Sequence, residues 1–193
     1  MTDERQRQRF LEVVVPYLDD ALTLARWLTG NAADAEDVVQ EASIRALAGI
    51  GSLREGHPRA WLLAIVRNTT YTWLAKNRSK MLIVTDDERV FEQAGHASGE
   101  AAVTPEAAMI AKADAARLRA AIEALPLPYR EIIVLREIED LSYQDIARIT
   151  SLPIGTVMSR LSRARGRLRE AVAGEAGRVQ ARAGGRRAKE TPA

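Results

Sequence analysis

The stretch SYQDIARITSLPIGTVMSRLSRARGRL, residues 142–168, decides the fold. Ser142 is a favourable N-cap, and Asp145, three positions later, is its expected capping-box partner. Apolar residues then recur at helical spacing for two turns. Pro153 cannot extend this helix, because proline lacks an N–H group and restricts the residue before it. The stretch therefore predicts two helices joined by a tight turn.

The second of these helices is predicted to begin near Gly155 or Thr156 and to be amphipathic. At about 100° per residue, one stripe is apolar and is the expected buried face. That stripe consists of Val157, Leu161, Ala164 and Leu168. The opposite ridge is made of small residues around Arg163, whose guanidinium group can contact guanine in the major groove. This pattern is typical of a DNA-binding helix-turn-helix, with an ordinary amphipathic helix in a bundle as the alternative.

The charges alternate in blocks along the chain. Residues 53–80 carry six basic side chains and one acid, and residues 154–170 carry five arginines and one acid. Between them, residues 86–106 carry six acids and one arginine. Two basic blocks favour two lobes that bind polyanions, joined by an acidic connector, and simple solvated faces are the alternative.

The composition excludes several classes of function. The 193 residues include no cysteine, and His57 and His96 are far apart, so we expect neither a metal site nor a cofactor. No nucleophile motif, P-loop or pair of carboxylates near a histidine is present, so neither an enzyme nor a small-molecule substrate is expected. No apolar run could span a membrane and the charged N-terminus lacks a signal-peptide core, so the expected location is cytoplasmic.

Helical periodicity extends over nearly the whole chain and predicts an all-α fold of two small helical domains. An apolar stripe over residues 10–28 ends at Gly30, and Asn31 caps the next helix with Asp34 as its capping-box partner. Pro58 begins a third helix. The predicted divisions are a first domain at 1–80, a flexible acidic linker at 81–104, a helix-turn-helix domain at 105–173 and a disordered basic tail at 174–193.

Both lobes carry motifs of one known family. The segment LPLPYREIIVLREIEDLSYQDIARITSLPIGTVMSRLSRARGRLRE resembles the −35-binding domain of bacterial RNA polymerase sigma factors of the extracytoplasmic-function (ECF) group, in the sigma-70 family. In the first lobe, DAEDVVQEASIRAL is similar to the helix of these factors that binds the polymerase clamp, and PRAWLLAIVRNTTYTWLAKNR to the helix that reads the −10 element. The resemblance implies a transcription initiation factor that binds core RNA polymerase, recognises promoters and melts them without a cofactor.

The resemblance also implies three sets of contact residues. Those expected at the −35 element are Thr156, Met158, Ser159, Arg160, Ser162, Arg163, Arg165 and Arg167. Those expected at the −10 element are Arg59, Arg67, Asn68, Lys76 and Arg78. Those expected to bind RNA polymerase are Asp34, Asp37, Val38, Gln40, Glu41, Ile44 and Leu47. The implied partners are promoter DNA, the clamp helices of the largest polymerase subunit, the flap of the second-largest subunit and an anti-sigma factor.

Residue chemistry agrees with these assignments in part. Acids at helical spacing beside an apolar face suit docking on basic helices of another protein, although acids near a helix N-terminus also complement its dipole. The glycine-rich segment at residues 48–58 is the expected loop of a pocket for a flipped base, and Asn68 offers a donor and an acceptor to a base edge. Trp61 is expected in the core, whereas Trp73 could lie in the core or stack on a base.

Two positions depart from the family pattern, and one alternative function stays open. Met158 stands where many members have arginine or lysine, and Ser162 is small, so base contacts do not carry over from relatives there. The acidic linker is implied to thread toward the polymerase active centre, with a solvated tether as the alternative. A free-standing helix-turn-helix regulator is the competing function, and it would need a dimerisation surface and no clamp-binding helix.

Overall fold

The computed structural model describes residues 2–53, 56–81 and 104–187, which contain eight α-helices and no strand. The predicted all-α class is confirmed. The first lobe consists of α1 (Thr2–Val13), α2 (Leu18–Thr29), α3 (Ala32–Gly49) and α4 (Pro58–Met81). The second consists of α5 (Pro105–Glu123), α6 (Leu127–Ile133), α7 (Tyr143–Thr150) and α8 (Ile154–Arg187).

The first apolar stripe is divided between two helices. The sequence predicted one helix before Gly30, but a 3₁₀ turn over Val15–Tyr17 separates α1 from α2. Pro16 explains this break, because it has no N–H to donate within a longer helix. The buried face itself is confirmed, since Val14 and Leu24 are completely buried in the core.

The turn between α2 and α3 positions the acidic helix of the first lobe. Gly30 has φ 74°, in the left-handed region that glycine adopts without steric cost. Asn31 Oδ1 accepts a hydrogen bond from the Asp34 backbone N–H at 3.1 Å, so the predicted cap of α3 is confirmed. The Asn31 N–H donates to Thr29 Oγ1 at 3.3 Å, which occupies the donor that the capping box would have given to Asp34.

The helix-turn-helix is confirmed. Ser142 Oγ accepts from the Asp145 backbone N–H at 3.1 Å, and its hydroxyl donates to Asp145 Oδ2 at 2.7 Å. Helix α7 ends at Thr150, and the next residue, Ser151, has φ 55° and makes the turn in the left-handed region. Helix α8 begins at Ile154, one residue before the predicted start.

The segment that links α6 to α7 is wider than an α-helix. It forms a π-helical turn over Val134–Ile138, in which the Glu139 N–H donates to the Val134 carbonyl at 3.0 Å. The chain then reverses at Asp140, which has φ 46°. This geometry places Glu139 at the end of the turn, facing the first lobe, as the contacts below show.

The C-terminal region differs from the prediction. Helix α8 continues through residue 187, whereas a disordered tail was predicted from residue 174. The segment alternates alanine and arginine, which are strong helix formers, with four glycines, and the helix propagates into it from the packed N-terminal half of α8. Residues 188–193 lie outside the described residues, and so does the predicted acidic linker from residue 82 to residue 103.

The two lobes pack directly against each other. Helix α4 lies along α7, and α2 contacts α6. Buried apolar side chains of both lobes form one continuous cluster, which extends from Val14 and Leu62 in the first lobe to Ile146 and Leu161 in the second. Of the helices described, none combines the length and the apolar character that crossing a membrane requires.

Candidate nucleic-acid and polymerase interfaces

The buried face of α8 is the one that the helical periodicity predicts. Val157, Leu161 and Ala164 are at most 2% exposed, and Leu168 is half-buried. These side chains pack against α6 and α7, so the rotation of α8 about its own axis is fixed. The opposite ridge consequently faces solvent.

The side chains of this outward ridge are mostly small, and one of them is an arginine without a partner in the described part of the chain. Ser159, Ser162 and Arg163 are exposed, and Met158 is 52% exposed. Within the described part of the chain, Arg163 has no hydrogen bond, ion pair or ring contact. Its guanidinium group is therefore available for a bidentate contact with a base edge or a phosphate.

The other arginines of α8 are engaged to different extents. Arg165 donates to Glu137 Oε1 from Nε at 3.0 Å and from Nη2 at 2.6 Å. The guanidinium carbon of Arg167 lies 4.8 Å from the centre of the Tyr129 ring, within the range of a cation–π contact. Arg160 is half-buried, and burial raises the pKa of the nearby Glu131 although the charge of Arg160 opposes that rise. The predicted −35 residue Thr156 is half-buried at the start of the helix.

Arg59 on α4 forms ion pairs with both lobes. Its Nε lies 2.6 Å from Asp20 Oδ2 in the first lobe, and its Nη2 lies 2.7 Å from Glu139 Oε2 in the second. Nη1 also donates to the Glu139 carbonyl oxygen at 2.9 Å. Burial raises the pKa of Glu139 to about 7, with a further contribution from the negative charge of Asp20, and the attraction of Arg59 offsets only part of this shift.

Arg67, two turns further along α4, is paired in the same manner. Its Nε donates to Glu131 Oε1, and Nη2 lies 3.5 Å from Glu131 Oε2. The Tyr71 hydroxyl donates to the same Oε2 atom at 3.2 Å. Glu131 is completely buried, and burial raises its pKa although Arg67 and Tyr71 act in the opposite direction. Burial and the adjacent Glu131 raise the pKa of Tyr71 to about 12.

The remaining residues predicted for the −10 element lie further along α4. Asn68 is exposed, and its Oδ1 accepts from Arg67 Nη1 at 3.2 Å. Lys76 is exposed near the end of the helix. Arg78 belongs to the described backbone of α4, but its side chain lies outside the described residues. The structure thus aligns the predicted set on one helix, with its two N-terminal arginines already paired.

The clamp-binding set divides into exposed and buried members. Those exposed on α3 are Asp37, Gln40, Glu41 and Ile44, and those half-buried are Asp34 and Leu47. Ile44 is 65% exposed, the largest exposed fraction among the exposed large hydrophobic side chains described. Partial burial and the neighbouring Asp37 raise the pKa of Asp34.

Val38 does not belong with this surface. Its side chain is completely buried in the core of the first lobe, where α3 packs against α2 and α4. The prediction that Val38 contacts the polymerase is therefore wrong for this conformation. It failed because Val38 lies on the boundary between the two faces of α3, and only the packing of neighbouring helices decides which side it joins.

A cavity of about 410 Å³ lies where the predicted base pocket meets the second lobe. The first lobe contributes Ser52, Leu53, His57, Ala60, Trp61 and Ala64, and the second lobe contributes Arg148. Arg148 Nη1 lies 3.2 Å from His57 Nδ1. Trp61, predicted as a core residue, is half-buried and packs against the core with one side while it lines the cavity with the other.

Comparisons with known proteins agree with this architecture. Residues 13–80 match the family described as "Sigma-70 region 2", and residues 115–168 match "Sigma-70, region 4". The RNA polymerase sigma-H factor of Pseudomonas aeruginosa is 35% identical over 162 residues, which cover 82% of this chain and 83% of that protein. The ECF RNA polymerase sigma factor SigW of Bacillus subtilis is 32% identical over 167 residues, covering 83% and 87%.

A solved structure has a similar fold. The sigma factor RpoE of Bartonella quintana, determined in complex with the anti-sigma factor NepR, is 30% identical with a TM-score of 0.61. The match covers 86% of this chain and 96% of that one.

The matches to sigma-70 regions 2 and 4, together with these relatives, identify a transcription initiation factor that directs RNA polymerase to promoters. Within that class, the chain belongs to the sigma-70 family and to its ECF group. The match of residues 13–80 to region 2 does not favour the free-standing regulator, because such a regulator needs only the helix-turn-helix. The members of this family are not enzymes.

Proposed function

We propose that this chain binds core RNA polymerase through the outer face of α3 and positions it on promoters through α8 and α4. In this proposal the first lobe, up to about residue 80, reads and melts the −10 element. The second lobe, residues 105–173, reads the −35 element. The partners are promoter DNA and the clamp helices and flap of the polymerase, and the site of action is the cytoplasm, where bacterial promoters and polymerase meet.

The observation that carries the proposal is the outward ridge of α8. Arg163 projects from between small side chains, which allows the helix to approach the floor of the major groove closely. Arg160, Arg165 and Arg167 are better placed for phosphates on either side of the groove. Phosphate contacts fix the position of the helix, and base contacts give the sequence preference.

The proposed contribution of α4 is capture of unpaired bases. Arg67, Asn68 and Lys76 follow one another along a helix whose N-terminus borders the cavity at residues 48–58. A basic helix next to a cavity lined by Trp61 suits a single strand, because its phosphates can pair with the basic groups while a base leaves the stack. The energy gained by binding the unpaired bases can then melt the promoter duplex without a nucleotide-driven step.

The proposed polymerase-binding surface is the exposed part of α3. Asp37 and Glu41 give it an acidic edge, and Ile44 gives it an apolar centre. An exposed apolar side chain surrounded by charge is typical of a protein interface, in which the apolar centre gives affinity and the charged rim gives orientation. We also propose an anti-sigma factor as a regulatory partner, since the related RpoE was solved with one.

Run-off transcription with purified core polymerase tests the proposal. Genomic fragments should yield discrete transcripts only when the chain is added, and mapping their start points should show shared −35 and −10 sequences. A gel-shift assay on such a promoter should show specific binding only with core polymerase present. Tight specific binding without core polymerase, together with no stimulated transcripts, would instead indicate a free-standing regulator.

A further inference from the structure

Two acidic side chains of the second lobe occupy the first two arginines of the proposed −10 helix. Glu139 pairs with Arg59, and Glu131 pairs with Arg67. Both carboxylates are enclosed at the contact between the lobes: the side chain of Glu139 is 4% exposed and that of Glu131 is 0% exposed. The positive groups proposed to bind DNA are thus covered by carboxylates of the same chain.

Buried ion pairs of this kind fix an orientation more than they supply stability, because desolvation of the charges offsets most of their attraction. Removing one partner is nevertheless costly, since it leaves the other buried without compensation. The attraction between the lobes comes from the apolar cluster that α4 and α7 share. The two pairs, about two helical turns apart on α4, select one register of that contact.

The same contact closes the edge of the proposed base pocket. Arg148 on α7 reaches the cavity of the first lobe, where it lies 3.2 Å from His57 Nδ1 and is held by Asp145 at 2.7 Å. On the other side of the lobe contact, Arg130 Nη1 donates to the Trp27 carbonyl oxygen at 3.2 Å. Contacts at both ends of the interface therefore oppose independent movement of the lobes.

We propose that the second lobe is an internal competitor of −10 DNA: Glu131 and Glu139 take the places of DNA phosphates on Arg67 and Arg59, so that the free chain is closed to promoter single strands until the lobes separate. A guanidinium group makes the same two-pronged contact with a carboxylate as with a phosphate, and one contact excludes the other. This inference rests on the proposed role of α4 in −10 binding. The apparent affinity of the free chain for single strands is then the affinity of the open form multiplied by the fraction of molecules that are open.

The test uses the full chain, which contains no cysteine, so a dye pair can be attached at introduced cysteines alone. Leu11→Cys on α1 and Ala173→Cys on α8 are exposed and lie outside the proposed contact surfaces. Single-molecule energy transfer should give one narrow, high-efficiency population for the otherwise unaltered chain. A broad population at low transfer efficiency would show that the free chain is not closed, and this result alone would overturn the inference.

Charge reversal at the contact should open the chain. Glu131→Lys with Glu139→Lys places like charges against Arg67 and Arg59, and should lower transfer efficiency. It should also raise affinity for a fluorescein-labelled 20-nucleotide single strand of random sequence by about fivefold or more, as expected if most free molecules are closed. Asp114→Lys with Glu170→Lys is the matched control, because it changes the charge of the same lobe equally at exposed positions.

Circular dichroism would reveal whether the double variant fails to fold. In that case the milder single variant Glu139→Lys replaces it in the test. It should shift transfer efficiency in the same direction, and adding Arg67→Gln to it should remove the gain in strand binding. Equal strand affinity of the contact and control variants, or opening without a gain in affinity, would overturn the inference. Promoter-dependent transcription by the unaltered chain with core polymerase tests the proposed function separately, so the two failures can be told apart.

Discussion

Arg67 and Glu131 join the two lobes of the chain through an ion pair between residues 64 positions apart, with the carboxylate fully excluded from solvent. Glu139 repeats this arrangement on Arg59, 80 positions away in sequence. Both acids have a raised pKa because burial opposes their charged form. The lobe contact is therefore linked to the uptake of protons.

The pH dependence of the closed form follows from Glu139, whose pKa is raised from 4.5 to about 7 beside Arg59 and Asp20. Between these values the closed state keeps a proton that an open or unfolded chain releases. The contribution of Glu139 to the stability of the closed state should therefore be fully present below about pH 4.5 and be lost as the pH rises to about 7, by at most ~1.4 kcal/mol per pH unit for one proton. Melting temperatures or transfer efficiencies from pH 5 to 8 measure this slope.

Glu139→Gln supplies the control for this slope. The amide cannot titrate and resembles the protonated acid, so the slope between pH 5 and 7 should decrease, and the variant should be at least as closed as the unaltered chain at pH 8. The remaining slope would come in part from Glu131, whose pKa shifts in the same direction. A pH profile identical to that of the unaltered chain would show that Glu139 has an ordinary pKa.

Replacement of Arg163 tests the recognition helix. Arg163→Ala should reduce discrimination between the −35 element and a scrambled site by ~1–3 kcal/mol, because a bidentate base contact is lost. Arg160→Ala should instead weaken binding to both sites and reduce the salt slope by about one phosphate contact. Both variants are measured in holoenzyme gel shifts over a salt series. Equal losses on specific and scrambled sites for Arg163→Ala would assign it to phosphates.

The contribution of α3 is tested at Ile44. Ile44→Ala should weaken core polymerase binding about tenfold or more if this side chain is the apolar centre of the interface. Because Ile44 is 65% exposed, its removal should change the free energy of unfolding by no more than about 0.5 kcal/mol. Leu118→Ala is a matched control, since Leu118 is 46% exposed on α5 in the other lobe. Comparable polymerase affinities of the two variants would contradict the assignment.

Local features of the fold were predictable from sequence, whereas the lobe contact was not. The caps at Asn31 and Ser142 and the turn before α8 depend on residues within a few positions of one another, and the structure confirms them. Glu131 and Glu139 carry no such signal, because an acid between apolar residues reads as a solvated position on a helix. Their burial requires Arg67 and Arg59, which only the tertiary arrangement brings close.

The same limit explains the other differences from prediction. The family resemblance placed Val38 among the polymerase-binding residues, and the packing of α2 and α4 against α3 holds it in the core. The predicted −35 set includes both Arg163 and Arg165, although Arg165 is held by Glu137 and Arg163 is not paired within the described part of the chain. Which charged groups are free to bind a ligand depends on neighbours that are distant in sequence.

Thr69 and Thr70 offer a test of packing within α4 that is independent of function. Both are almost completely buried, but only Thr70 Oγ1 has a partner in the described residues: it donates to the Val66 carbonyl at 2.8 Å, whereas Thr69 Oγ1 has none. A buried hydroxyl without a partner loses its hydration without compensation. Thr69→Val, which keeps the shape, should therefore raise the free energy of unfolding by ~1 kcal/mol in urea denaturation. Thr70→Val should give no gain, because it removes a satisfied hydrogen bond. Equal stability changes in the two variants would show that Thr69 Oγ1 is solvated in solution.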